Sequence, residues 1–266
     1  MMDLTTLREL LIGEIHTYEQ EHQIKDLWLP PLVGVADAAD PAFAQLKQAV
    51  GPGHAMPQDI LPTARSVISY FVPFLPEVGA SNIDGLHPSQ TWAWAYRTSN
   101  TMFAHINDRM VEHLRQAGYE AQIPGSFASM DMQLLKSNWS QRHVAWVAGL
   151  GTFGLNNMLI TQQGCLGRLG SFVTSLPLEA TPRPQKERCL AKRGLSCEVC
   201  VRRCPTGALT AQGFDRHVCY GLCHENDLLL NPPDQEYQEA EICGKCVVSL
   251  PCTLRNPCAA LDKKEK

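Results

Sequence analysis

Apolar residues near the start of the chain recur at helical spacing. Leu4, Leu7, Leu11, Ile15 and Tyr18 share one face, with polar residues between them. Thr6, followed three residues later by Glu9, has the spacing of a capping box, so a helix is predicted here. From Ser66 to Phe74 the pattern becomes an unbroken β-branched and aromatic run, SVISYFVPF, which predicts a buried strand. A polar stretch with Gly and Pro at 76–90 predicts a loop. A second stripe, Phe103, Ile106, Met110, Leu114 and Ala117, stops at Gly118 and predicts a helix over 99–117. A further helix over 138–147 and strands over 158–161 and 171–176 complete the pattern. Residues 177–185, PLEATPRPQ, carry three prolines and no apolar period, which predicts a boundary. The expected fold class is α+β, with domains 1–185 and 186–266. The second is too poor in large apolar residues to fold well without staples.

Composition changes this picture little. The 266 residues are 44% hydrophobic and 19% charged, an ordinary globular balance. Net charge is −4, and residues before 186 hold 11 basic and 16 acidic side chains against 12 and 11 after. Neither part has the basic surface of a non-specific nucleic-acid binder. No apolar run approaches the roughly 20 residues of a membrane span. Residues 1–23 are charged throughout and lack an apolar core, so no secretory or twin-arginine signal is expected, and the cytoplasm is the expected location.

The cysteines change it a great deal. Of 11, ten lie between Cys189 and Cys258; only Cys165 lies outside and reads as a buried apolar thiol. In a reducing compartment such a cluster points to metal ligation. Cys197-Glu-Val-Cys200-Val-Arg-Arg-Cys204-Pro205 matches the C-x2-C-x3-C-P half of the bacterial ferredoxin run, whose last cysteine serves the other cluster. Assigned by that cross-over, Cys189, Cys197, Cys200 and Cys252 hold one [4Fe–4S] cluster, and Cys204, Cys219, Cys243 and Cys246 a second. Cys223 and Cys258 are left over, and each could replace Cys219 or Cys252. Structural zinc on paired C-x2-C units, a single cluster and disulfides are the rival readings.

Gly149-Leu-Gly151-Thr-Phe-Gly154 matches the dinucleotide fingerprint G-x-G-x-x-G. The sequence after it runs into strand and turn, and no acidic residue follows at the right distance, so nicotinamide cofactor binding is not expected. The glycines instead suggest a backbone that something approaches closely.

The run from Arg142 through Gly154-Leu155, with Met158-Leu-Ile-Thr161 and Leu169-Gly-Ser-Phe-Val-Thr-Ser-Leu-Pro-Leu178, resembles epoxyqueuosine reductase followed by its double-cluster module. The resemblance covers roughly residues 60–258 and extends to the reductive dehalogenases. It implies a degenerate nitroreductase-like N-terminal domain with a C-terminal bacterial-ferredoxin-like module. It also implies two [4Fe–4S] clusters relaying single electrons to base-off cobalamin. Gly149, Gly151, Gly154 and Arg142 are the cofactor-binding candidates it suggests. An external low-potential donor of ferredoxin or flavodoxin type is the implied partner, and a corrinoid or small molecule the implied substrate. The second reading is an electron-transfer or corrinoid-processing protein without its own organic substrate.

Three departures stand out. The place of the family's proton-donating aspartate falls on Leu135, with Asp131 the nearest carboxylate four residues earlier. A lysine common after the third glycine is Leu155. The chain ends eight residues after Cys258, where the bacterial reductase continues into a helical-repeat domain. On these grounds tRNA is not expected as a partner. Asp131, Tyr96, Arg97 and His143 are the remaining catalytic candidates. His105 is another polar candidate, and Trp92, Trp94 and Trp139 suit either aromatic core or the cover of a planar cofactor.

Overall fold

The computed structural model describes residues 2–125, 130–233, 236 and 239–264. In chain order its elements are α1 (Leu4–Glu21), β1 (Leu32–Asp37), α2 (Ala42–Ala49), α3 (Pro57–Ile60), β2 (Ser66–Pro73), α4 (Pro76–Ser81) and α5 (Gln90–Gln116). Short strands β3 (Ala121–Gln122), β4 (Met130–Asp131) and β5 (Lys136–Ser137) precede α6 (Gln141–Val147). There follow β6 (Thr152–Phe153), β7 (Leu159–Ile160), β8 (Gly167–Thr174), α7 (Val199–Arg202), α8 (Arg216–Leu230) and α9 (Ala259–Lys264). This is a mixed α/β fold. Among the described residues no helix is long and apolar enough to cross a membrane.

The chain divides into two compact units. The first comprises residues 1–72, 102–151 and 167–185. Its four-stranded sheet runs in the order β1-β2-β8-β3, with β1 antiparallel to β2 so that Leu32 faces Phe71 and Asp37 faces Ser66. Every residue of β2 is buried, as an apolar run covered on both faces requires. On one side Phe43, Leu46, Val67, Val144, Val147 and Val173 enclose Trp139. The Trp139 indole N–H donates to Ser171 Oγ at 3.0 Å, so its one polar atom is satisfied in the core. Of the predicted apolar face of α1, Leu7, Leu11, Ile15 and Tyr18 are buried. The helix is capped by Asp3, which accepts from the Thr6 amide at 2.8 Å, and not by Thr6 as the capping-box spacing suggested.

The second unit comprises residues 73–101, 152–166 and 186–266. It holds α4, the start of α5, the β6–β7 pair and α7–α9. The predicted loop at 76–90 opens with helix α4, and α5 begins at Gln90, ahead of the predicted 99. Polar Gln90, Thr91, Arg97 and Thr98 mask the stripe there, although Trp92, Ala93 and Ala95 are buried. Trp92 and Trp139 are therefore core residues, while Trp94 is exposed.

Candidate functional site

All ten clustered cysteines, and Cys165, belong to the second unit. Cys197, Cys200 and Cys204 lie around the single turn of α7, and Cys219 and Cys223 lie one turn apart on α8. Cys243 and Cys246 flank Gly244-Lys245, where Gly244 has φ +75° and an added Cβ would lie 2.4 Å from the Trp92 ring. Only glycine meets both conditions without strain.

Cys189, Cys197, Cys200 and Cys252 line one cavity, whose wall also includes Gly154, Asn156 and Pro251. Burial first, then the neighbouring Cys252, Cys189 and Cys197, pushes the Cys200 thiol up to about 11. The second set is linked in the same way. Burial, then Cys243, Cys219, Cys204 and Cys200, pushes the Cys246 thiol up to about 12, and burial also raises Cys243. Sulfurs crowded in this manner resist becoming thiolates unless a cation shares their charge. The Leu209 amide donates to Cys204 Sγ at 3.4 Å, the kind of backbone contact that stabilises a ligating thiolate. The cysteines surround their sites without converging on a point. Among the described residues, no three His, Cys, Asp or Glu side chains gather closely enough for a single ion.

The leftover cysteines differ from one another. Cys258 Sγ donates to the Arg188 carbonyl at 3.3 Å and is fully buried. Cys223 hydrogen-bonds with Cys219, and this, with burial, holds its thiol well above the usual range. Cys165 is buried, as its sequence reading expects, but it also meets Cys252, which that reading does not anticipate. Its amide donates to the Cys252 carbonyl at 3.0 Å, and its buried thiol hydrogen-bonds with Cys252, which raises Cys165 and lowers Cys252. Its isolation in sequence gave no signal, because the contact arises only when residues 164–166 lie along Cys252–Thr253.

The other candidates are spread out. Arg97 Nη2 donates to the Leu230 carbonyl at 3.2 Å and to Asn231 Oδ1 at 3.3 Å, binding the C-terminal end of α8. Tyr96 Oη donates to Glu239 at 3.4 Å. In the first unit, Asp131 is exposed on β4 and accepts from the Gln133 and Leu134 amides, both at 2.9 Å. Leu135, at the tip of that hairpin, has φ +49°. His143 Nδ1 pairs with Ser140 Oγ at 2.7 Å, and burial, then Arg142 and His54, pushes its pKa down to about 4. Arg142 itself is exposed, and His105 is half-buried, its ring 5.4 Å from that of Tyr18.

The glycine run has a reason of its own. Gly149 has φ +77°, and an added Cβ would lie 2.7 Å from the Thr181 carbonyl and 2.9 Å from that of Pro182. The close approach at this glycine is thus made by the chain's own backbone. Gly151 is buried, and Gly154 forms part of the cysteine cavity wall.

No protein-family profile matches the chain. It is 31% identical over 200 residues to an epoxyqueuosine reductase of Staphylococcus aureus, covering 66% of this chain and 48% of the relative. A second relative, from Listeria monocytogenes, is 35% identical over 99 residues, covering 36% of this chain and 24% of its own length. The chain thus spans about half, or less, of the curated relatives it matches. Among solved structures, epoxyqueuosine reductase from Bacillus subtilis superposes with TM-score 0.54 at 18% identity, covering 92% of this chain and 66% of that one. An epoxyqueuosine reductase bearing an epoxyqueuosine-modified tRNA-Tyr stem loop gives 0.52 at 18%, with coverage of 85% and 59%. A catabolic reductive dehalogenase holding 3-bromo-4-hydroxybenzoic acid gives 0.54 at 17%, covering 85% of this chain and 30% of the dehalogenase. The chain is a homologue of the epoxyqueuosine reductases and shares their fold.

Proposed function

We propose that this chain is an iron–sulfur reductase of the epoxyqueuosine reductase type, with its cysteine unit holding two [4Fe–4S] clusters. The observation that carries the reading is the single cavity lined by Cys189, Cys197, Cys200 and Cys252. It unites Cys252 with Cys197 and Cys200 as the ferredoxin cross-over requires. That Cys204 and Cys219 both act on Cys243 and on Cys246 supports the second set. When bound, such clusters supply single electrons drawn from an external carrier of ferredoxin or flavodoxin type. This chain's residues hold the sulfurs, exclude water from them and direct N–H groups at Cys204. On this reading the N-terminal domain is the nitroreductase-like partner of the ferredoxin-like module.

Cobalamin enters the proposal through the family resemblance alone. Gly149 already meets the chain's own backbone, so the glycine run offers no free cradle there, and no step is drawn through a corrin. For the substrate, epoxyqueuosine in tRNA comes first, because a neighbour of this fold was solved with that stem loop. Leu135 at the place of the proton donor weighs against fast turnover on it.

Anaerobic reconstitution followed by iron, sulfide and corrinoid analysis, with an assay on epoxyqueuosine-containing tRNA, tests the reading. Iron and acid-labile sulfide in equal amounts are expected, with turnover on tRNA well below that of a reductase carrying aspartate at the place of Leu135. Stoichiometric zinc with no iron would overturn the reading.

A further inference from the structure

Lys245 lies between Cys243 and Cys246 and is only 2% exposed. Its Nζ donates to three oxygens: the Asp84 carbonyl at 2.7 Å, the Asn82 carbonyl at 3.1 Å and Asn82 Oδ1 at 3.3 Å. All three are acceptors only. A neutral amine has two N–H groups, so three such partners call for the three donors of an ammonium. The geometry therefore matches the charged form. Burial works against that charge, as does Arg203 nearby, while Cys243 and Asp84 favour it.

A buried ammonium bonded only to uncharged oxygens is expensive unless a negative charge lies close. Asp84 supplies part of that charge, and the neighbours in sequence, Cys243 and Cys246, are two cysteines of the second set. The surrounding bonds hold it in place. Asn82, fully buried, donates from Nδ2 to the Cys243 carbonyl at 2.9 Å. Arg203, beside Cys204, donates from Nε to the Lys245 carbonyl at 3.1 Å and from Nη2 to the Ile83 carbonyl at 2.6 Å. Neither cation can swing away to solvent without breaking this clamp.

We infer that Lys245 is the fixed counter-charge of the second cysteine set and raises the reduction potential of the centre held there. This rests on the iron–sulfur reading above. Adding one electron to such a centre adds one negative charge with no proton required, and a nearby buried cation favours the more negative state. Lys245 thereby acts on the centre through its field and not as a ligand.

The test is an EPR-monitored redox titration of the reconstituted full chain beside Lys245→Met and Lys245→Arg. The second-set signal is identified as the one lost in Cys204→Ala. With full iron in Lys245→Met, that signal should move to more negative potential, while the other signal moves less and Lys245→Arg stays near the parent. Unchanged potentials at full iron would overturn the inference. If Lys245→Met loses iron, Lys245→Arg decides: iron retained near the parent potential supports the counter-charge, and iron lost again shows a clamp that only lysine's shape can fill, overturning it. A parent chain that takes up no iron would instead defeat the iron–sulfur reading itself.

Discussion

In the sheet unit the largest fully buried side chains are Trp139, Tyr70, Phe43, Phe71 and Phe172; in the cysteine unit, among the described residues, the largest is Lys245. One interior is mainly aromatic and aliphatic, with few buried polar side chains. The other is organised by hydrogen-bonded polar groups around sulfur. Asn226, fully buried, accepts at Oδ1 from His87 Nδ1 at 2.7 Å and donates from Nδ2 to the Ile242 carbonyl at 2.6 Å. Asp227 accepts from the Ala240 amide at 2.6 Å. Such networks fix geometry but contribute little net stability, roughly 1 kcal/mol per bond. Apolar burial contributes roughly 25 cal/mol per Å². On the iron–sulfur reading, the first unit should hold its structure without metal, whereas the second should depend on what its cysteines bind.

Removing iron anaerobically, or substituting Cys200→Ala, should break this comparison most visibly. Hydrogen exchange across 186–258 should lose protection while β2 and β8 stay slow; uniform loss of protection would show that the sheet unit has no independent stability. Trp139→Ala should do the opposite. It empties a fully buried site and leaves Ser171 without its donor, costing about 3–5 kcal/mol in urea unfolding of the sheet unit, with iron content retained.

Acid should sharpen the contrast further. His143 is held at about 4, against an ordinary 6.5, so the unfolded chain binds more protons between those values. Its contribution is therefore complete above about 6.5 and is lost as the pH falls towards about 4. The thermal midpoint of the sheet unit should fall across that window, and less steeply in His143→Gln. An equal slope in the variant would remove His143 from the account. The smallest effect expected is at Leu135. A leucine at φ +49° is strained, and aspartate tolerates that backbone better. Leu135→Asp should raise stability by up to about 1 kcal/mol and, on the family resemblance, raise turnover on epoxyqueuosine-containing tRNA. Unchanged stability and turnover would detach Leu135 from both roles.

Periodicity made the strongly patterned elements legible: the α1 face, the buried run of β2, and the Gly118 stop of α5, where φ is +86°. It failed where polar residues front a buried turn, as at Gln90–Thr98, and where a cap is chosen by geometry, as at Asp3. The ferredoxin spacing named cysteines that do line one cavity, because short C-x2-C spacings carry their geometry with them. The contact of Cys165 with Cys252 and the setting of Lys245 were not legible. Each residue acquires its surroundings from a segment distant in sequence, Cys252 in one case and Asn82 to Asp84 in the other. At Gly149 a close approach by the chain's own backbone leaves the same mark in sequence as an approach by a ligand.

The cross-over between the two cysteine sets is the central claim, and iron counting on paired variants tests it most directly. The reconstituted parent should hold about eight irons per chain. Cys252→Ala should diminish the centre of Cys197 and Cys200, and Cys204→Ala that of Cys243 and Cys246, each leaving the other's EPR signal in place. Loss of the same signal from both variants, or zinc in place of iron, would contradict the account.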